Sequence, residues 1–111
     1  MTAQKQNYFR TSIKALIFDE QKRFLMFRED SGYWDLPGGG LDFGESPRAC
    51  LTRELEEEAG LQISSVAARP AYFASGLNLE KIWKTIICYK TSVKHLNFRP
   101  SKECQEIRFF Y

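Results

Sequence analysis

The stretch "GGGLDFGESPRACLTRELEEEAGL", Gly38 to Leu61, opens on three glycines and places four glutamates among five residues just before a closing glycine. Ser46 and Pro47 have the form of an N-cap and a first-turn proline, and Gly60 that of a C-cap. The stretch therefore predicts a helix over Pro47 to Ala59. At about 100° per residue, Leu51, Leu55 and Ala59 share one stripe and form its buried face. Glu54, Glu57 and Glu58 gather on a neighbouring face, and Glu56 points into water. Like charges at these spacings repel by a few tenths of a kcal/mol per pair. Carboxylates in a last turn also face the negative end of the helix dipole, at about 0.3–1 kcal/mol each.

A helix that breaks two stability rules in one place is a candidate site. Three convergent carboxylates suit a hard divalent cation, Mg²⁺ or Mn²⁺. The competing explanation is a solvated acidic face held by scattered lysines, and the neighbouring residues weigh against it. Gly38, Gly39 and Gly40 let backbone approach an anion or metal closely. Arg53, four residues before Glu57, has the reach to fix a carboxylate's rotamer. Together these residues describe a metal site meeting a phosphate.

The 111 residues suffice for a single domain, 1–111, with one core. An apolar share of 43% with 27% charged residues is that of a globular chain and excludes a disordered one. The net charge of +2 gives no specific indication of a nucleic-acid or membrane partner. Charge is uneven, with six acids and two arginines between Asp42 and Glu58, and five bases and two acids between Lys90 and Arg108. Cys50, Cys88 and Cys104 are odd in number and lack C-x-x-C spacing, which argues for reduced thiols over a disulfide framework or a zinc site. "MTAQKQNYFR" lacks the apolar run of a signal peptide, and no stretch reaches membrane-spanning length, so the expected location is cytoplasmic.

"TSIKALIF" (Thr11 to Phe18) and "RFLMFRE" (Arg23 to Glu29) read as two strands joined by a polar turn. "DSGYWDLPGGGLDFGES" reads as loop from its Gly, Pro, Asp and Ser content. Further strands are predicted around Val66 to Ser75, around Ile82 to Val93, and over the terminal "EIRFFY". Strand, strand, helix, then strands is the order of an α+β fold with a mixed or antiparallel sheet.

The stretch resembles the Nudix box, G-x5-E-x7-R-E-U-x-E-E-x-G-U with U bulky and aliphatic. Its positions are filled here by Gly39, Glu45, Arg53, Glu54, Leu55, Glu57, Glu58, Gly60 and Leu61. "GYWDLPGGG" resembles the loop usual before the box, "KALIFDEQKRFLMFRE" the hairpin leading into it, and "EIRFF" a late strand. The resemblance to Nudix hydrolases implies an α/β/α sandwich, with the usual C-terminal covering helix expected to be absent from this chain. It implies Mg²⁺- or Mn²⁺-dependent hydrolysis of a diphosphate in a nucleoside di- or triphosphate or a similar derivative. Carried over by position, Glu54, Glu57 and Glu58, with the Gly39 carbonyl, bind metal. Arg53 orients a glutamate, and Glu45 supports the site. Glu54 is one candidate base. The resemblance also implies a later-loop glutamate as ligand or base, and Glu103 is the choice over Glu106.

Positions that carry subfamily signatures hold Gly76, Leu77, Asn78 and Leu79, so no substrate is singled out. Trp34, beside the glycines, is the candidate to stack on a nucleobase, and alternating aromatics in strands otherwise read as core. Lys84, Lys90, Lys94, Arg99 and Lys102 form a reserve of charge for steering a polyphosphate. His95 receives no role. An apolar face left uncovered by the absent helix favours a homodimer. The alternatives are a non-catalytic Nudix-like module that binds a nucleotide or partner, and prenyl diphosphate isomerase chemistry on the same fold.

Overall fold

The computed structural model describes residues 10–77 and 81–111. Most of the N-terminal stretch, together with Asn78 and Leu79, lies outside the described residues. The elements are β1 (Arg10–Leu16), β2 (Phe24–Arg28), β3 (Trp34–Asp35), β4 (Gly38–Gly40), α1 (Pro47–Ala59), β5 (Ile63–Val66), β6 (Tyr72–Leu77), β7 (Trp83–Val93) and β8 (Glu106–Phe110).

The larger sheet runs β4-β1-β7-β5, with β6 also on β7, and a smaller one runs β3-β2-β8. β1 and β7 are parallel, and the other neighbours are antiparallel, so the sheet is mixed. The eleven-residue β7 holds β1 along one edge and β6 then β5 along the other. No helix among the described residues is long and apolar enough to cross a membrane.

α1 occupies the predicted span, and both predicted caps are present. The Ser46 side chain accepts the Ala49 N–H, Pro47 opens the first turn, and Gly60 turns left-handed at φ 65°. Leu51, Leu55 and Ala59 are buried as their stripe requires, with Cys50 beside them. They meet Ile13, Ala15 and Ile17 of β1 and its extension, and Leu25 and Phe27 of β2, in one cluster. Burial of each leucine contributes about 2 kcal/mol.

Three expectations change. β1 and β2 belong to different sheets and are joined only near the turn, through the Phe18–Phe24 bridge and a Leu25 N–H to Ile17 O bond of 2.9 Å. Both strands bury alternate residues in one core, so the chain folds over at the turn instead of extending a flat hairpin. The segment read as loop contains β3 and β4, because the glycine triplet pairs its backbone with Ser12, Ile13 and Lys14 despite its low strand propensity. The strand expected around Val66 to Ser75 is two strands separated by the segment containing Pro70, which has no N–H for a ladder. The architecture is α+β, and the described residues supply one helix of the implied sandwich.

Candidate functional site

Glu54 and Glu58 lie one helical turn apart on the side of α1 that meets β4. Glu58 is only 8% exposed, and one carboxylate oxygen accepts the Gly38 N–H at 3.1 Å. Burial pushes its pKa up to about 8. The Gly38 N–H and the Lys14 charge oppose that shift, while Glu54 and Glu103 add to it. Glu103 reaches the pair from the loop before β8. One carboxylate oxygen from each of Glu54, Glu58 and Glu103 lies within 4.8 Å of the other two.

That loop is pinned to the end of α1. The Ser101 hydroxyl donates to the Glu58 carbonyl, and the Arg99 N–H donates to Ala59 O at 2.7 Å. Backbone bonds then close Ser101 onto Cys104, and the Glu103 N–H donates to Ser101 Oγ at 3.2 Å. Glu106, by contrast, starts β8 with its carboxylate shared by Arg28 at 3.2 Å and Arg108 at 2.8 Å. Of the two later glutamates, only Glu103 joins the group. The sequence carried no signal for these two bonds because both span forty or more positions to reach the end of the helix.

Arg53 is the organiser of the acidic surface. Its Nε and Nη2 grip Glu45 at 2.8 and 2.9 Å, Nη1 reaches Glu54 at 2.9 Å, and Nη2 also donates to Gly40 O at 3.0 Å. The two-pronged contact, with the Asp42 N–H, holds the Glu45 carboxyl down to about 2. The pairing expected with Glu57 is present but looser, at 3.5 Å. Glu57 is 58% exposed and stands at the rim, outside the group formed by Glu54, Glu58 and Glu103. Glu56 faces outward, as its position on the helix predicts, and meets Arg99 at 3.5 Å.

The glycines differ in what they permit. A Cβ at Gly39 would lie 2.6 Å from the carboxyl carbon of Glu54, so the bare backbone is what leaves room for that carboxylate. At Gly38, with φ +124°, a Cβ would fall 2.1 Å from Ile13 O. Gly40 has only Arg10 nearby, at 3.8 Å.

The profile of the NUDIX domain matches residues 8–111. The chain belongs to the Nudix family. An RNA pyrophosphohydrolase of Saccharophagus degradans is 44% identical over 55 residues, which is 48% of this chain and 32% of that protein. A putative 8-oxo-dGTP diphosphatase 2 of Mycobacterium tuberculosis is 51% identical over 39 residues, 35% of this chain and 28% of that protein. These matches therefore cover about a third of the curated relatives. Among solved structures, a MutT protein from Methanosarcina mazei Go1 superposes with a TM-score of 0.75 at 24% identity, covering 96% of this chain and 80% of that one. That likeness is one of fold.

In this Nudix domain Trp34 sits on the face of the smaller sheet, with Arg108 over its ring at 5.1 Å and Phe110 edge-on at 5.1 Å. All three cysteines are free and buried. Cys50 lies under the glycines, its thiol directed at Gly40 O and Gly39 O at 3.5 and 3.6 Å, and burial pushes it up to about 11. His95 accepts the Asn97 N–H and lines a cavity of about 660 Å³ that contains none of the acidic residues of this site.

Proposed function

We propose that this chain is a divalent-cation-dependent diphosphohydrolase of the Nudix family. It cleaves a diphosphate linkage in a nucleoside di- or triphosphate, or a similar nucleoside diphosphate derivative, by attack of water on phosphorus. The observation that carries this reading is the convergence of Glu54, Glu58 and Glu103 within 4.8 Å.

The donor set fits a hard cation. It offers only oxygen, and a carboxyl as buried as Glu58 lacks a cation at hydrogen-bond distance among the described residues. Glu54, Glu58 and Glu103 would hold Mg²⁺ or Mn²⁺, with the Gly39 carbonyl beside them and Glu57 contributing from the rim. A bound divalent cation supplies charge neutralisation for the diphosphate and a lowered pKa for water. Arg53 and Glu45 fix the orientation of Glu54 before substrate arrives. Of the three glycines, Gly40 leaves the backbone open to the substrate's phosphates, since only Arg10 lies near it. Glu54 or Glu103 would take the proton from the attacking water. The named relatives, one acting on RNA and one on an oxidised nucleotide, support a nucleotide as substrate. A cytoplasmic location accords with this chemistry. Exposed Tyr72, Phe73 and Leu77 on β6 favour a homodimer.

The test is a phosphate- and pyrophosphate-release screen with Mg²⁺ and with Mn²⁺. The panel comprises nucleoside triphosphates, oxidised nucleotides, ADP-ribose, NADH, dinucleoside polyphosphates, CoA and 5′-triphosphorylated RNA. Glu54→Gln, folded by circular dichroism, is the control. Metal-dependent release that this variant abolishes supports the reading. Silence across the panel from a folded, metal-binding protein overturns it in favour of a non-catalytic binding module.

A further inference from the structure

On the face of the larger sheet away from α1, the parallel register of β1 and β7 sets Arg10 directly beside Lys84. Like charges placed directly opposite across neighbouring strands are destabilising, and neither side chain has an acidic partner among the described residues. Gly76 is the β6 partner of Lys84, so no side chain rises on that side to shield it. Lys14, the cation on this face that stands opposite Gly38 of β4, is already satisfied. It is buried against Asp35 at 3.2 Å and the carbonyls of Leu36 and Gly38 at 3.2 and 3.3 Å.

Arg10, Ser12, Lys14 and Lys84 line a cavity of about 270 Å³ whose wall is the backbone of Gly39 and Gly40. The same two glycines bound the acidic site: Gly39 abuts the Glu54 carboxylate, and Gly40 O accepts from Arg53. β4 is an edge strand, so a ligand can lie across it with one part at the acidic site and another in the cavity. The cavity is smaller than the roughly 300–1,000 Å³ of whole-ligand sites, so it takes one group of a larger molecule. Its lining is charged. An apolar pocket bounded by Leu16, Phe24, Leu36 and Ile86 lies farther along the same face and suits the uncharged part.

We propose that Arg10 and Lys84 bind a phosphate group of the substrate that is not itself cleaved. The preferred substrates would then be nucleotides carrying a phosphate beyond the scissile diphosphate. This rests on the hydrolase reading above and narrows its substrate class.

Two measurements test it, using matched pairs that differ by one phosphate: CoA against 3′-dephospho-CoA, and NADPH against NADH. The expected kcat/KM preference for the phosphate-bearing member is about tenfold or more, since charge-assisted bonds to phosphate are the strong ones. Arg10→Gln with Lys84→Gln should erase the preference through the KM of the phosphate-bearing member, and Arg10→Lys in place of Arg10→Gln should restore part of it. The second measurement follows backbone amide shifts during titration with inorganic phosphate in EDTA, where no divalent cation can hold the anion. Shifts centred on residues 10, 12, 40 and 84 that the double variant loses support the anion pocket, even if no member of either pair is turned over. Turnover without preference, or phosphate shifts that survive in the double variant, overturns it and leaves the hydrolase reading standing.

Discussion

Gly39→Ala and Gly38→Ala change neighbouring glycines by the same methyl group, and the structure predicts opposite outcomes. The φ of Gly39 lies outside the left-handed region, so alanine can adopt the backbone. Its methyl would sit 2.6 Å from the Glu54 carboxyl carbon and 2.7 Å from both oxygens. Carbon contacts settle near 3.5–4.0 Å, so the carboxylate is displaced by about 1 Å. The displaced atoms end a flexible side chain, and loss of glycine's unfolded-state freedom returns about 0.4–1 kcal/mol. Stability should therefore change by less than about 1 kcal/mol, or about 5 °C in Tm. Misplacing a catalytic group by 1 Å can lower turnover by about a hundredfold, and that is the expected loss of metal-dependent activity. Gly38→Ala instead drives its methyl to 2.1 Å from Ile13 O and 3.0 Å from Lys14 Cα, at φ +124°. Backbone cannot yield there without parting β1 from β4, so a loss of about 3 kcal/mol or more and a Tm drop above about 10 °C are expected. Thermal unfolding and metal-dependent release on both variants check the pair. Full activity in Gly39→Ala, or an unchanged Tm in Gly38→Ala, would refute the reasoning.

Glu58 gives a pH prediction. Its carboxyl is near 4.5 when unfolded and about 8 when folded without metal, so the folded state holds the extra proton between those values. Metal-free stability should fall as pH rises from about 5 to 8, by up to several kcal/mol. The thermal shift caused by Mg²⁺ should grow over the same window, and Tm at pH 6 and pH 8 with and without Mg²⁺ decides it. Glu103→Gln should lower turnover by tenfold or more, about the penalty for losing a metal-site group, whereas Glu106→Gln should lose little activity because its carboxylate is held by Arg28 and Arg108; the reverse ranking in kcat would move the site. Arg53→Lys keeps the charge but loses the two-pronged grip on Glu45 and the bond to Glu54. Turnover should fall by about 10- to 100-fold with the fold retained by circular dichroism, and wild-type kcat in that variant would remove Arg53 from the machinery.

The helix was legible to the residue because its ends are local chemistry: a hydroxyl cap, a first-turn proline and a left-handed glycine. Its acidic face was legible as a pattern, but periodicity gives direction around an axis and not depth. Glu57 and Glu58 are neighbours in sequence, yet one is exposed and the other buried, because only Glu58 turns under β4 to meet the Gly38 N–H. The glycine triplet was read as loop since propensity describes side chains, whereas these residues pair through backbone alone. The neighbours of the Trp34 ring, Arg108 and Phe110, could not be read beside the glycines, because the long-range β2–β8 pairing brings them there. Arg10 and Lys84 could not be joined from sequence, because parallel strands separated by most of the chain set their meeting.

The most direct test of the account is a Mn²⁺ titration of the wild-type chain and of Glu58→Gln, Glu103→Gln and Glu106→Gln, followed by water-proton relaxation. The account predicts saturable binding in wild type, a loss of affinity of about 10- to 100-fold in the first two variants, and wild-type binding in Glu106→Gln. Equal Mn²⁺ binding by all four folded proteins would contradict it, since the convergence of Glu54, Glu58 and Glu103 would then hold no cation.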